Sequence, residues 1–377
     1  MTRQSGATQP QETPRFRNFT LARLAGVMAA TSALACTGII LTASNGDVVY
    51  GRTQEWGAFD LKSRVMIVPT GIELTSTMPD GAPGLQWTSR FGVVAIDAVE
   101  QPVIIDGLNT EGLATGLLYH PDFAEYAPFD PAARDRALAP IDVATYLLTN
   151  FASVPEVRAG MADIDVVDVA MDVLGFAPPI YLMVTDSTGE RIVIEFLGGE
   201  TTIFDAPLGV MTNAPEYDWH LTNLRNYVNL SPVAVEPRAV GELDLTPLGV
   251  GSGMIGLPGD FTPPSRFVRA VAFTQSGRET VDGPDAVTEL FRVLDNFNVP
   301  LPALGDPEAA GIEGMVSATQ WTTALDVTNR RFHYHSAHNR RVRQIDLTTL
   351  DFDSLDGIAF LPLNSVAGQD MEILSLP

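Results

Sequence analysis

Apolar positions run from Thr37 to Ala43, stop at the polar cluster Ser44-Asn45-Gly46-Asp47, and resume from Val48 to Thr53. This pattern predicts a strand, an Asn-Gly turn and a returning strand. Alternating apolar flanks recur at Val103 to Leu118 around Asn109-Thr110-Glu111-Gly112, and at Ile180 to Phe196 around Asp186-Ser187-Thr188-Gly189. A last strand-rich block runs from Gln320 to Leu347 through Asp326-Val327-Thr328-Asn329. Between these the apolar spacing becomes helical, over Ile141 to Phe151, Val154 to Met161, Asp218 to Val228, Pro264 to Thr274 and Asp285 to Phe297. Ser153 and Glu156 supply a capping box for the second of them. Connections rich in proline and glycine at residues 79–85, 120–140, 231–263 and 299–313 interrupt the pattern, and there is no internal repeat. Helices grouped between runs of antiparallel hairpins predict an α+β fold, with sheets packed face to face and helices outside.

Ahead of the first hairpin, Arg15, Arg17 and Arg23 lead into an apolar stretch from Leu24 to Leu34. Residues 1–35 read as a secretion signal, too short to span a membrane, so a periplasmic or secreted location is expected. Residues 36–377 then form a single domain of about 340 residues, enough to bury a large core. The formal charge is −23, and removing the four arginines and one glutamate of the leader takes it to −26. Such acidity argues against nucleic acid and anionic membrane surfaces as partners.

The single cysteine, Cys36, follows Ala33-Leu34-Ala35 directly, so one cut makes it the first residue. One cysteine allows no intrachain disulfide. At an N-terminus it combines a thiol with an α-amine, whose pKa of roughly 7.7–8.0 suits a general base near neutral pH. Thiolate attack also needs a nearby cation, an acceptor to orient the amine, and donors for the oxyanion. The returning strand ends with Arg52 and Glu55, which the hairpin brings back beside Cys36. The same leader also reads as a lipoprotein signal, in which Cys36 is acylated and the chain is a lipid-anchored, non-catalytic binding protein. That signal normally has leucine where Ala33 stands.

Four motifs carry a resemblance: Cys36-Thr37-Gly38; Gly51-Arg52-Thr53-Gln54-Glu55-Trp56; Val210-Met211-Thr212-Asn213-Ala214-Pro215-Glu216-Tyr217-Asp218-Trp219; and Leu257-Pro258-Gly259-Asp260 leading into Ser265-Arg266-Phe267-Val268-Arg269. In this order they resemble the choloylglycine hydrolase family of N-terminal nucleophile hydrolases, which contains conjugated bile salt hydrolases and penicillin V acylases. The resemblance implies a four-layer αββα sandwich and hydrolysis of a linear amide through an acyl-enzyme, with no metal or organic cofactor. It implies Cys36 as nucleophile, Arg52 as the cation beside the thiol, Asn213 as oxyanion donor and Arg266 as a second buried arginine. Glu55 stands where most members have aspartate, which leaves a degenerate, non-cleaving member as a further alternative. In Gly116-Leu117-Leu118-Tyr119-His120-Pro121, where bile salt hydrolases carry an asparagine, Tyr119 is the candidate, as in penicillin V acylases.

By the same resemblance the acyl pocket is lined by Trp56-Gly57-Ala58-Phe59, Tyr119 to Tyr126 and Ser252 to Ile255, with Trp56, Phe59 and Tyr119 as substrate-binding residues. Leu117, Phe123, Tyr126 and Phe129 are candidates for its apolar wall. The implied substrates are conjugated bile salts first, then penicillin V and N-acyl homoserine lactones. The family also allows a homotetramer, though no residue here requires one. His333, His335 and His338 invite a zinc reading, but no fourth ligand of matching type lies near and the segment reads as the outer part of a hairpin. Gly251-Ser252-Gly253 lacks the strand-to-helix context of a serine nucleophile elbow.

Overall fold

The Asn-Gly turn closes as the sequence predicts, with Gly46 at φ 93° and Asn45 Oδ1 accepting the Asp47 N–H at 3.0 Å. A left-handed position of this kind favours glycine because it has no Cβ to clash. The computed structural model of the protein describes residues 36–56, 60–299, 318–366 and 368–375, all in one compact unit. The proposed leader, Gly57 to Phe59 and most of the 299–313 connection lie outside the described residues.

The first hairpin pairs Thr37–Thr42 (β1) with Val48–Trp56 (β2), and Arg64–Val68 (β3), Val93–Ala98 (β4), Gln101–Asn109 (β5) and Leu113–Tyr119 (β6) follow. Helices Val143–Asn150 (α1) and Val154–Met161 (α2) lead to Ile180–Asp186 (β7), Arg191–Leu197 (β8), Glu200–Asp205 (β9) and Val210–Met211 (β10). Tyr217–Asn223 (α3), Pro263–Ser276 (α4) and Gly283–Leu294 (α5) come next. The chain ends with Ala318–Asp326 (β11), Arg331–Ser336 (β12), Arg343–Asp346 (β13) and Ala359–Pro362 (β14).

Two antiparallel sheets result. One has six strands in the order β10-β1-β2-β11-β12-β13, the other eight in the order β9-β8-β7-β6-β5-β4-β3-β14. Helices α4 and α5 pack on the first, α1 and α2 on the second. This is the αββα sandwich expected. Both faces of β2 are therefore covered, and its residues Val48 to Glu55 are all buried. Even-numbered residues face the eight-stranded sheet: Tyr50 crowds the backbone of Gly116 on β6. Odd-numbered ones face α5, where Gly51 meets Leu290.

The structure extends the sequence pattern in places. Strands β3 and β4 carry no clear period in the sequence, because a strand covered on both faces has no polar side. The predicted helix from Asp218 ends early as α3 and tightens into a 3-10 turn over Leu224–Tyr227. Residues 79–85 join a short ribbon, Glu73–Thr77 with Pro83–Thr88. At α2, Ser153 Oγ accepts the Glu156 N–H, while the Glu156 carboxylate reaches the Ala152 N–H rather than that of Ser153.

Candidate active site

Register decides which side chains meet Cys36. Thr37 pairs with Thr53 and Gly38 with Arg52, so the next step sets Cys36 across from Gln54. Cross-strand partners point to the same face. The thiol, Gln54 and Arg52 thus share the face that looks into the molecule, and Cys36 is 2% exposed. Its Sγ lies 4.0 Å from Gln54 Oε1 and 3.9 Å from the Glu55 carbonyl.

Arg52 is fully buried and spans the gap between the sheets. Its guanidinium donates to the carbonyls of Leu117 and Ile105 on the eight-stranded sheet and to Gln54 Oε1, and it lies over the Trp321 ring at 5.6 Å. Burial works against its charge, but the thiol, Tyr50, Asp106 and Glu55 around it more than offset that and hold its pKa up. Asp106 is buried under it, with Oδ2 accepting from Thr323 Oγ1 at 2.6 Å. Desolvation pushes that carboxyl up to about 7, against the pull of Arg52.

Glu55 lies on the opposite face of β2 from Arg52. Its two oxygens take the hydroxyl hydrogens of Thr319 at 2.5 Å and Thr53 at 3.0 Å. Burial raises it to about 7, with these hydroxyls and Arg266 opposing. The sequence expectation grouped Arg52 and Glu55 together near the start of the chain; the alternation of the strand splits them, one above the sheet and one below.

Arg266 comes from α4, again fully buried. It donates to the Cys36 carbonyl, to Thr37 Oγ1 at 3.0 Å and to Asn213 Oδ1 at 2.7 Å. Desolvation lowers it to about 10, although Glu55 and the thiol favour its charge. Asn213 follows β10, and its Nδ2 donates to the Tyr119 carbonyl at 2.8 Å. The carbonyl of Asn213 accepts from His220 Nε2 at 2.8 Å, and burial lowers that histidine to about 4, so it is neutral. Four sequence candidates, Cys36, Arg52, Asn213 and Arg266, therefore converge, with Glu55 beneath.

Above Cys36 opens a small cavity of about 70 Å³. Leu61, Val103, Leu117, Ile141, Met171 and Ile180 supply most of its apolar wall. Trp56 and Tyr119 close one side as an edge-to-face pair at 5.6 Å. A pocket of this kind takes an apolar group and presents its end to the thiol.

Residues 36–360 match the profile of the linear amide C–N hydrolases, choloylglycine hydrolase family. The chain belongs to that family. A bile salt hydrolase/transferase of Clostridium perfringens is 27% identical over 328 residues, 85% of this chain and 94% of its own. A penicillin V acylase of Pectobacterium atrosepticum is 27% identical over 361 residues, covering 90% and 88%. The crystal structure of a mutant conjugated bile acid hydrolase from Clostridium perfringens matches with a TM-score of 0.79 at 25% identity, covering 90% of this chain and 100% of that one. As a choloylglycine hydrolase family member the protein is an amide hydrolase with the N-terminal nucleophile hydrolase fold.

Phe59 lies outside the described residues. Several other pocket expectations need correction. Ser252 to Ile255 do not line the cavity, and Ser252 Oγ accepts the Val235 N–H. Of the four wall candidates only Leu117 lines it. Phe123 stacks on His120, the Tyr126 hydroxyl donates to the Pro178 carbonyl, and Phe129 packs on a small cluster around Val167. The second wall comes from residues 98–105 and 171–180, which the sequence left without a role. His333 and His335 are buried, not on an outer edge. Both ring nitrogens of His333 are taken, by the Ala324 carbonyl and Gln344 Oε1, and no metal-holding group of three or more ligands occurs among the described residues.

Gln54 and Asp106 are the site residues the sequence reading passed over. A lone carboxylate inside the apolar run Ile104-Ile105-Asp106-Gly107-Leu108 was a usable signal, since an uncompensated buried charge is costly.

Proposed function

We propose that this chain is an exported cysteine amidohydrolase that acts through Cys36 as the first residue of the mature protein, with conjugated bile salts as its first substrate class. The observation that carries the reading is the placement of the Cys36 sulfur at the floor of an apolar cavity, on the face it shares with Arg52. The α-amine takes the thiol proton and the thiolate adds to the amide carbonyl carbon. The resulting oxyanion is held by Asn213, whose Nδ2 gives one hydrogen to Tyr119 and keeps the other for the substrate. The proton passes to the leaving nitrogen, the C–N bond breaks, and water cleaves the thioester to release the acid.

The names of the relatives support bile salts and penicillin V as substrates; the apolar wall is consistent with the acyl half of either, and with a fatty acyl lactone. Glycocholate, taurocholate, penicillin V and a long-chain N-acyl homoserine lactone assayed side by side test this, with the largest kcat/KM expected for a bile salt. Mass spectrometry of the mature N-terminus tests the cut, and a diacylglyceryl thioether on Cys36 would replace the enzyme reading with the lipid-anchored one. What favours the free thiol is its burial: a lipid on that sulfur would fill the cavity instead of reaching a bilayer.

A homotetramer in the periplasm or medium belongs to the same proposal. Its support is the apolar surface left open at Leu243, Leu245, Leu248 and Val250, on and beside the ribbon Arg238–Val240 with Leu243–Leu245. Light scattering should give four chain masses; a monomer at micromolar concentration would remove the assembly.

A further inference from the structure

His220 of α3 is fully buried, and among the described residues its ring makes a single hydrogen bond. Nε2 faces the Asn213 carbonyl at 2.8 Å, while Nδ1 has no partner among them. A carbonyl only accepts, so Nε2 carries the hydrogen and the tautomer is fixed. The ring lies flat against Phe267 of α4, with centroids 4.6 Å apart and planes 11° from parallel. Phe267 follows Arg266, whose guanidinium holds Asn213 Oδ1 at 2.7 Å. Helix α4 thus fastens Asn213 twice, through Arg266 to its side chain and through the stacked imidazole to its main chain. Neighbouring positions have fasteners of their own: Thr212 Oγ1 donates to the Pro263 carbonyl at 3.0 Å, and Glu195 Oε1 accepts the Tyr217 N–H at 2.8 Å. Only the Asn213 peptide depends on His220.

We infer that His220 is a positioning residue for the hydrolysis: its imidazole N–H sets the Asn213 peptide, and through it the direction in which the Asn213 amide meets the oxyanion. The inference rests on the reading of Asn213 as the oxyanion donor. Asn213 is 2% exposed, so without His220 its carbonyl is a buried acceptor with no partner, and the peptide turns to find one. That turn carries the Cα–Cβ bond with it and takes the amide out of the line it must hold before charge develops. Misplacing a catalytic group by about 1 Å costs about a hundredfold. Binding of the acyl group, which is made by the cavity wall, is left alone.

The test takes the processed enzyme with the fastest of the four substrates named above and compares His220→Gln, His220→Asn and His220→Met. Glutamine sets its Nε2 the same number of bonds from Cα as histidine does, asparagine falls one bond short, and methionine has no donor. His220→Gln should keep kcat within about threefold of wild type, while the other two lose about tenfold to a hundredfold in kcat with KM within about twofold. In an Asn213→Ala background, His220→Met should slow the enzyme by no more than about twofold further, because the group it positions is gone. A merely structural part would slow both backgrounds by the same factor, and that result overturns the inference. Wild-type kcat in a folded His220→Met does so too. Equal rates from His220→Gln and His220→Asn also overturn it, a comparison that stands even if His220→Met does not fold. An unchanged kcat in Asn213→Ala would instead overturn the oxyanion reading and this inference with it, and cleavage of none of the four substrates by wild type would overturn the amidohydrolase reading beneath both.

Discussion

The thiol of Cys36 sits among groups from β2, α4 and the segment after β10, and each can be removed singly. Cys36→Ser should lose nearly all turnover while the far-ultraviolet dichroism stays native, because the hydroxyl is a much weaker nucleophile in the same place; wild-type rates from that variant would end the assignment. Asn213→Ala removes the proposed oxyanion donor, and kcat should fall by about a hundredfold or more with KM less affected. An unchanged kcat would move the role elsewhere. Cys36, Arg52, Asn213 and Arg266 were legible in the sequence because each sits in a short local motif. Gln54 lies in one of those motifs and Asp106 interrupts an apolar run, but neither shows its place in the site by itself, since that depends on a partner on another strand or another sheet: the thiol across the hairpin for one, Arg52 across the interlayer for the other.

At the scale of elements, the hairpins and the helices α1, α2, α4 and α5 followed from period and turn chemistry alone. Strand β4 did not, because Val93 to Ala98 is buried on both faces and shows no alternation to read. Close approach of the two sheets is the physical constraint here. A Cβ on Gly116 of β6 would stand 1.9 Å from the Tyr50 hydroxyl of β2 and 2.9 Å from Asp106 Oδ1. Gly116→Ala should therefore cost about 1–3 kcal/mol, read from the urea midpoint, by forcing the sheets apart beneath Arg52. A cost near zero would mean that Tyr50 moves freely, against its full burial. The cap of α5 is a smaller lever: Asp282 accepts the Asp285 N–H, and Asp282→Ala should cost about 1 kcal/mol.

Across the whole molecule, buried acids and buried histidines pull stability in opposite directions with pH. Glu55 and Asp106 are raised to about 7 and Glu195 to about 8, all chiefly by burial. Each keeps its proton longer in the folded than in the unfolded chain, so the stability it contributes is lost as pH rises from the unfolded to the folded pKa. His120, His220 and His335 are lowered to about 4, and their effect runs the other way and is complete by about pH 6.5. The melting temperature should accordingly fall between about pH 6.5 and 8, and Asp106→Asn or Glu195→Gln should flatten that fall; a rise over the same range would contradict the burial of these carboxyls. The sequence by itself determined the fold class, the order of the hairpins, the family motifs and the candidate site residues, because periodicity, turn residues and short motifs are local properties of a chain. Only the tertiary structure decided that Arg52 and Glu55 stand on opposite faces of one strand, that Gln54 meets the thiol, and that residues 98–105 and 171–180 form the second wall of the cavity. Those relations depend on strand register and on the distance between two sheets, which are set when segments far apart in sequence bury their apolar faces against each other.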